Sequence, residues 1–279
     1  MKRVLLCVGV AAVLTAGWLI AGCSRARQGT RVIGSTSILP FAEMLAEEYN
    51  AKNPEMYVEV QGGGSTAGLQ SVANGIAEIG MCSRGLKAAE QKLYEPIIIA
   101  FDGLSVVVHP GNGVSDLTLA QIRGIFAGRI SNWREVGGGD APIHVITREE
   151  GSGTREAFQK MVMGDERISR RAVTQESNGS VKELVRHDTA SIGYMSMGLA
   201  GELKSLSIAG AQPTRANVLP DPSGHRKYPL VRPFLFVTRK GEPMAVQSRR
   251  FVDFVMSARG GAMMEKEGLI APRETGQGN

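Results

Sequence analysis

Three stretches of the 279-residue chain bring small residues and hydroxyls together: Gly34-Ser35-Thr36-Ser37, Gly62-Gly63-Gly64-Ser65-Thr66 and Arg148-Glu149-Glu150-Gly151-Ser152-Gly153-Thr154. Glycine lets a backbone approach a partner closely, Ser and Thr hydroxyls donate hydrogen bonds, and arginine adds a charge that is never lost. Together these are the means of holding an oxyanion. The surrounding residues say how each turn is positioned. Arg31-Val32-Ile33 reads as a strand before the first turn, and Pro40, Phe41, Met44 and Leu45 give a first-turn proline and helical spacing after it. Tyr57-Val58-Glu59-Val60 alternates like a half-buried strand before the second, with Leu69, Val72 and Ile76 at helical spacing behind. Ile143-His144-Val145-Ile146 precedes the third, and Phe158, Met161 and Val162 mark a helix face after it. The first amides of a helix have no intrahelical partner and sit at the positive end of its dipole, so each strand-turn-helix unit offers an anion site. One such turn is also an ordinary helix cap. Three in one chain, one of them carrying Arg148, favour the anion reading.

Other chemistry lacks its residues. None of the turns has the Gly-Lys-Ser/Thr ending of a nucleotide P-loop, and no dinucleotide fingerprint is present. A serine hydrolase would need Gly-x-Ser-x-Gly and a base; the nearest string, Gly151-Ser152-Gly153-Thr154, ends in Thr. The four histidines, at 109, 144, 187 and 225, show no metal-ligand spacing, so no catalytic residue, metal or cofactor is assigned. Aromatic residues make up 5% of the chain, too few for the stacking platforms of single-stranded nucleic-acid binders. With 43% hydrophobic and 21% charged residues, the composition is that of a globular body.

The N-terminus has the grammar of an export signal: Lys2 and Arg3, an apolar run from Val4 to Trp18, and no acidic residue before Cys23. Ile20-Ala21-Gly22-Cys23 resembles a bacterial lipobox, which implies cleavage after residue 22, lipid on Cys23 and a tether over 23–30. Cys7 leaves with the signal, so Cys82 is the one thiol left and no internal disulfide can form. The formal charge of +5 falls by Lys2 and Arg3 to +3, with the remaining cations scattered, which does not suggest a nucleic-acid partner.

The three turns, together with Glu78-Ile79-Gly80-Met81-Cys82-Ser83-Arg84, Asp102-Gly103-Leu104-Ser105-Val106-Val107-Val108 and Tyr228-Pro229-Leu230-Val231-Arg232-Pro233-Phe234, resemble the phosphate-binding protein (PstS) family of bacterial phosphate ABC transporters. The resemblance runs over nearly the whole mature chain. It implies a type II periplasmic-binding-protein fold, in which two α/β domains joined by two crossover strands enclose a ligand cleft. The first domain would comprise 31–108 and 232–279 and the second 109–231. Apolar runs at Leu104–Val108 and Pro233–Val237 suit the crossing strands; Leu117–Phe126 and Lys182–Arg186 read as helices, and Asn132-Trp133 as loop. The implied partners are inorganic phosphate and a permease, with the membrane reached through the lipid anchor alone. Sulfate or molybdate is the alternative, because helix-start donors do not name the central atom.

Carried over position by position, the resemblance places Thr36, Ser37 and the Ile38 backbone at the anion, with Ser65, Ser83, Arg148, Ser152, Gly153 and Thr154. Glu150 falls where a carboxylate holds the arginine fork. Replacing Arg148 is expected to weaken binding with little loss of stability. Long-form members carry an Asp where this chain has Ser83. The group that accepts the proton of monoprotonated phosphate is therefore expected to be Asp102 or Glu150, and Arg84 is either a second positive contact or, the favoured reading, a salt-bridged domain-surface residue.

Overall fold

The computed structural model of the protein describes residues 29–221 and 223–272. The expected signal segment 1–22 and the expected lipidation site Cys23 lie outside the described residues. Strand β1 (Thr30–Gly34) runs into helix α1 (Leu39–Lys52), β2 (Val58–Gly62) into α2 (Ser65–Ala73), and β3 (Ile79–Cys82) completes a parallel set in the order β2-β1-β3. Pro40 opens α1, where its missing N–H costs nothing. Thr30 belongs to this first strand and not to the tether: it is buried, and its hydroxyl lies 3.0 Å from Ser248 Oγ.

Strand β4 (Tyr94–Val108) then crosses between two halves of the molecule. Nine of its first ten residues pair antiparallel with β11 (Val231–Arg239), with Ile99 bulged out of register, and Leu104–Val108 pair antiparallel with β8 (Ser191–Ser196). Between β4 and β8 the chain forms β5 (Asp116–Leu117), α3 (Leu119–Phe126), β6 (His144–Arg148), α4 (Gly153–Phe158), β7 (Val173–Gln175) and α5 (Asn178–His187). After β8 come α6 (Met197–Ala200), β9 (Lys204–Ser205), β10 (Ser207–Ile208) and α7 (Arg215–Val218), and after β11 come α8 (Val246–Met256) and α9 (Ala258–Lys266). The main sheet has the order β2-β1-β3-β11-β4-β8-β6-β7. Both β4 and β11 are longer than the apolar runs at 104–108 and 233–237 suggest, because each continues through the junction.

Two apolar clusters lie on either side of that junction. One gathers Phe41, Leu45, Tyr49, Phe234, Phe236 and Phe251 around Ile99 and Ala100 of β4. The other gathers Phe126, Trp133, Phe158 and Tyr194 around Leu104, Val106 and Val108, with the Phe158 and Tyr194 rings stacked at 4.0 Å. One strand thus serves two cores, the architecture of two α/β lobes joined by crossing strands. The sequence at 132–133 folds as more than a loop. Asn132 and Glu135 form a capping box on a short 3-10 helix, Trp133–Val136, and buried Trp133 donates to the Ala190 carbonyl at 2.9 Å. The helix after the third turn is α-helical only to Phe158 and continues as a π-turn over Gln159–Met163.

Candidate functional site

The three turns converge where the lobes meet, and a fourth joins them. Strand β1 delivers Ser35-Thr36-Ser37, β2 delivers Gly64 and Ser65, β6 ends on Arg148 before the turn to Ser152, and β7 leads through Glu176 and Ser177 to Asn178 at the start of α5. Backbone contacts knit the sides: Gly64 N–H donates to Gly34 O at 2.9 Å, and Thr66 N–H donates across to Gly151 O at 3.1 Å. Gly64 has φ 88°, and a Cβ there would stand 3.0 Å from Gly151 O, so the close approach requires glycine. Gly153 is equally constrained, since a Cβ would fall 2.8 Å from Ser83 Oγ and closer still to Ser65 Oγ.

Arg148 is 1% exposed. Its Nε donates to Glu149 Oε2 at 3.0 Å and to Gln175 O at 3.1 Å, while Nη2 donates to Glu149 Oε1 (3.0 Å), Glu176 O (3.0 Å) and Thr36 Oγ1 (3.1 Å). Nη1 is buried and has no hydrogen-bond partner among the described residues. The bidentate fork is therefore held along one edge, and the remaining nitrogen is left to an acceptor from the cleft. The carboxylate that holds it is Glu149, not Glu150, which is exposed. Glu149 is the first residue past β6, where its N–H donates to Gln175 O at 3.2 Å and its carbonyl accepts Ser152 N–H at 3.1 Å, and its side chain turns back onto the guanidinium. This anchoring argues for a stability cost when Arg148 is lost, against the expectation that stability would be spared, because Glu149 and two carbonyls would lose their donor.

A second buried cation stands opposite, which the turn pattern does not reveal. Arg232 of β11 is 2% exposed and pairs with the fully buried Asp102 of β4, Nε to Oδ2 at 3.0 Å and Nη2 to Oδ2 at 2.9 Å. Its Nη1 donates to Thr154 Oγ1 at 2.8 Å and to Ser83 O at 3.3 Å, and its Nη2 reaches Ser37 Oγ at 3.3 Å. Burial pushes the Asp102 carboxyl up, against the pull of Arg232 and Ser196. Asn178 is the other unforeseen member: its Nδ2 donates to Ser37 Oγ (2.9 Å) and toward Thr36 Oγ1 (3.4 Å). Arg232 lay within the segment 228–234, but no local spacing marks it as part of an anion site.

These donors orient the hydroxyls. Ser37 Oγ receives Asn178 and Arg232, which fills its acceptor sites and turns its proton to Thr154 Oγ1 at 2.7 Å. Thr154 Oγ1 then receives Ser37 and Arg232, which leaves its own proton for the cleft. Thr36 Oγ1 receives Arg148 and Asn178, and Ser152 Oγ caps α4 by receiving Arg155 N–H at 3.3 Å; each keeps its proton to donate. The result is a shell of donors, fit for an oxyanion and unfit for a cation. The Ile38 amide donates to Ser35 O at 3.1 Å and its side chain is in the core, so Ile38 contributes the fixed start of α1 and not an unengaged amide. Arg84 is salt-bridged as expected, but it is buried, with Nη1 2.7 Å from Glu90 Oε2 and Nε 3.0 Å from Glu156 Oε2.

A family model described as a PBP superfamily domain matches residues 21–259. The chain belongs to the PBP superfamily, among its phosphate-binding (PstS) proteins. Among solved PBP-superfamily structures, it is 38% identical, with a TM-score of 0.82, to a putative phosphate ABC transporter substrate-binding protein with bound phosphate from Clostridium perfringens, covering 88% of this chain and 99% of that one. It is 37% identical, with a TM-score of 0.72, to an ABC-type phosphate transport receptor from Vibrio cholerae, covering 87% and 100%. The phosphate-binding protein PstS of Bacillus subtilis is 29% identical over 241 residues, 85% of this chain and 78% of that protein.

Proposed function

We propose that this protein is an extracytoplasmic binding protein that captures inorganic phosphate between its lobes and delivers it to the permease of an ABC transporter. The observation that carries this reading is the buried Nη1 of Arg148, without a protein partner among the described residues, in a site where Thr36 and Thr154 already receive two hydrogen bonds each. A tetrahedral oxyanion supplies the acceptors such a shell needs. The superfamily members it resembles are transport receptors and not enzymes, in keeping with a site that holds an anion and offers no nucleophile–base pair.

In this reading Thr36, Ser65, Ser83, Arg148, Ser152, Gly153 and Thr154 face the anion, and Ser37, Asn178, Arg232, Asp102 and Glu149 hold them in place, Ser37 through the proton it gives Thr154. The first lobe takes 30–103 with 232–279 and the second takes 104–231, because Thr30 lies in β1 and Leu104–Val108 pair with β8, which moves the expected boundaries at 31 and 108. The protein is held to the membrane by lipid on Cys23 after loss of residues 1–22, and no helix among the described residues is long and apolar enough to cross a membrane. Calorimetric titration of the unlipidated chain with phosphate, sulfate, molybdate and a phosphate ester tests the assignment. Phosphate should bind most tightly; tighter binding of sulfate or molybdate, or no binding of any anion, overturns it.

A further inference from the structure

Large apolar side chains left in water normally stand singly on a protein surface. Among the described residues seven are exposed, and four of them, Tyr57, Ile76, Leu93 and Val246, stand at one end of the first lobe's sheet. Tyr57 directly precedes β2, and its carbonyl accepts Thr30 N–H at 2.8 Å. Ile76 lies just ahead of β3, and the intervening Glu78 donates its N–H to Arg31 O at 3.1 Å. Leu93 directly precedes β4, and its carbonyl accepts the N–H of Lys240, the residue after β11, at 2.9 Å. Val246 opens α8, which is tied to the same end by Ser248 Oγ, 3.0 Å from Thr30 Oγ1. With the strand order β2-β1-β3-β11-β4 and strands about 4.8 Å apart, these residues spread over roughly 20 Å. A cavity of about 230 Å³ opens among them, with Gly75 and Ala77 on one wall and Met244 and Ala245 on another, so Ile76 and Val246 stand beside it.

This end lies opposite the anion turns, which follow the far ends of β1, β2 and β3, about 17 Å away along a five-residue strand. It is also where the chain leaves toward Cys23. Gly29 packs against Tyr57, and the six residues 23–28 ahead of it span at most about 20 Å when fully extended. A chain anchored at Cys23 therefore keeps this end within that distance of the bilayer, a constraint that does not act on the second lobe. The exposed charges here are of both signs, Lys92, Lys240 and Arg249 beside Glu55, Glu59 and Glu95, so the apolar side chains and not a net charge make the surface distinctive. Tyr57 and the long stems of Lys and Arg suit a boundary that is apolar on one side and wet on the other.

We infer that this end of the first lobe is a membrane-resting surface, on which Tyr57, Ile76, Leu93 and Val246 seat in the headgroup layer of a lipid bilayer while the protein is anchored. The inference rests on the proposed lipid anchor at Cys23. The test couples the chain from residue 23 onward, through the Cys23 thiol, to maleimide lipid in phosphatidylcholine vesicles with brominated acyl chains; Cys82 is buried and stays unmodified. Ile76→Trp and Val246→Trp report contact, with Leu184→Trp of the second lobe as reference and the wild-type emission of buried Trp133 subtracted. Both should be quenched at least about twofold more than Leu184→Trp, since groups seated at the interface lie about 5–10 Å into the headgroup and acyl boundary. Tyr57→Trp should be quenched likewise, and should lose that quenching when Ile76→Asp and Val246→Asp are added. Phosphate affinity by calorimetry should stay within about twofold of wild type in all of these variants, because the cleft is remote from the substitutions. Quenching no greater at 76 and 246 than at 184, with or without self-association of the unlipidated chain in sedimentation, overturns the inference alone. Native protein whose mass spectrum shows an unmodified Cys23 overturns the anchoring reading, and the inference with it.

Discussion

Asp102→Asn removes one charge from the buried Asp102–Arg232 pair with almost no change in volume. Arg232 would then sit 2% exposed with no full counter-charge, and breaking a buried pair from one side costs roughly 3–5 kcal/mol. The Asn carbonyl can still receive Nε and Nη2, which keeps the cost near the lower end, about 3 kcal/mol. The Asn amide group must then face Ser196 and the Met197 N–H, and the latter already donates to Asp102. For a chain of this size each kcal/mol shifts Tm by about 2–4 °C, so ligand-free Asp102→Asn should melt roughly 6–12 °C below wild type. Because Arg232 is one hydroxyl away from the cleft, through Thr154 at 2.8 Å, a bound dianion would restore part of the lost balance. At one fixed phosphate concentration, about 100 times the wild-type Kd, wild type gains about 2.7 kcal/mol, and any larger gain in the variant measures that compensation. Differential scanning calorimetry with and without phosphate reads all of this. A ligand-free Tm within about 2 °C of wild type would refute the charge argument.

Arg148→Ala should weaken phosphate binding by a factor on the order of tens to thousands, the consequence of losing roughly 2–5 kcal/mol, and should also lower ligand-free stability because Glu149 and the carbonyls of residues 175 and 176 lose their donor; calorimetry with and without ligand checks both. Glu156→Gln removes the charge that ties α4 to Arg84 (3.0 Å) and Lys87 (2.5 Å) of the other lobe, and should raise the phosphate off-rate about three- to thirtyfold in stopped-flow release, with an unchanged rate counting against a cross-lobe clamp. Burial alone would raise the Glu90 pKa, but the Arg84 fork and the Lys87 amide outweigh it and hold it below the ordinary carboxylate value. The stabilisation this brings is present above the unfolded value, about 4.3, and is lost as pH falls through the folded value, so Glu90→Gln should show a shallower loss of stability below about pH 4. Cys23→Ser should release the protein from the membrane fraction or leave it unprocessed, and mass spectrometry of wild type finding residues 1–22 intact would refute lipidation.

The chemistry of each turn was written locally. Glycine before Ser or Thr, a strand pattern ahead and helical spacing behind identify a helix start within a dozen residues, because capping, chain reversal and apolar periodicity are short-range effects. The same holds for the apolar runs at 104–108 and 233–237, whose side chains must be buried on both faces. What local pattern cannot carry is which distant side chain completes a turn. Arg232 enters the site because β11 lies between β3 and β4, which sets it beside Asp102, 130 residues away in sequence, and beside Thr154, 78 away. Asn178 enters because β7 pairs with β6 and aims the start of α5 at Ser37. Even the adjacent choice between Glu149 and Glu150 belonged to the fold, since the direction of a side chain at a strand end depends on where the partner strand holds the backbone. The sequence by itself determined that the chain builds helix starts rich in donors with one arginine among them. Only the tertiary structure decided which hydroxyls point their protons inward, because that depends on donors brought together by strand order, across separations at which local propensity has no reach.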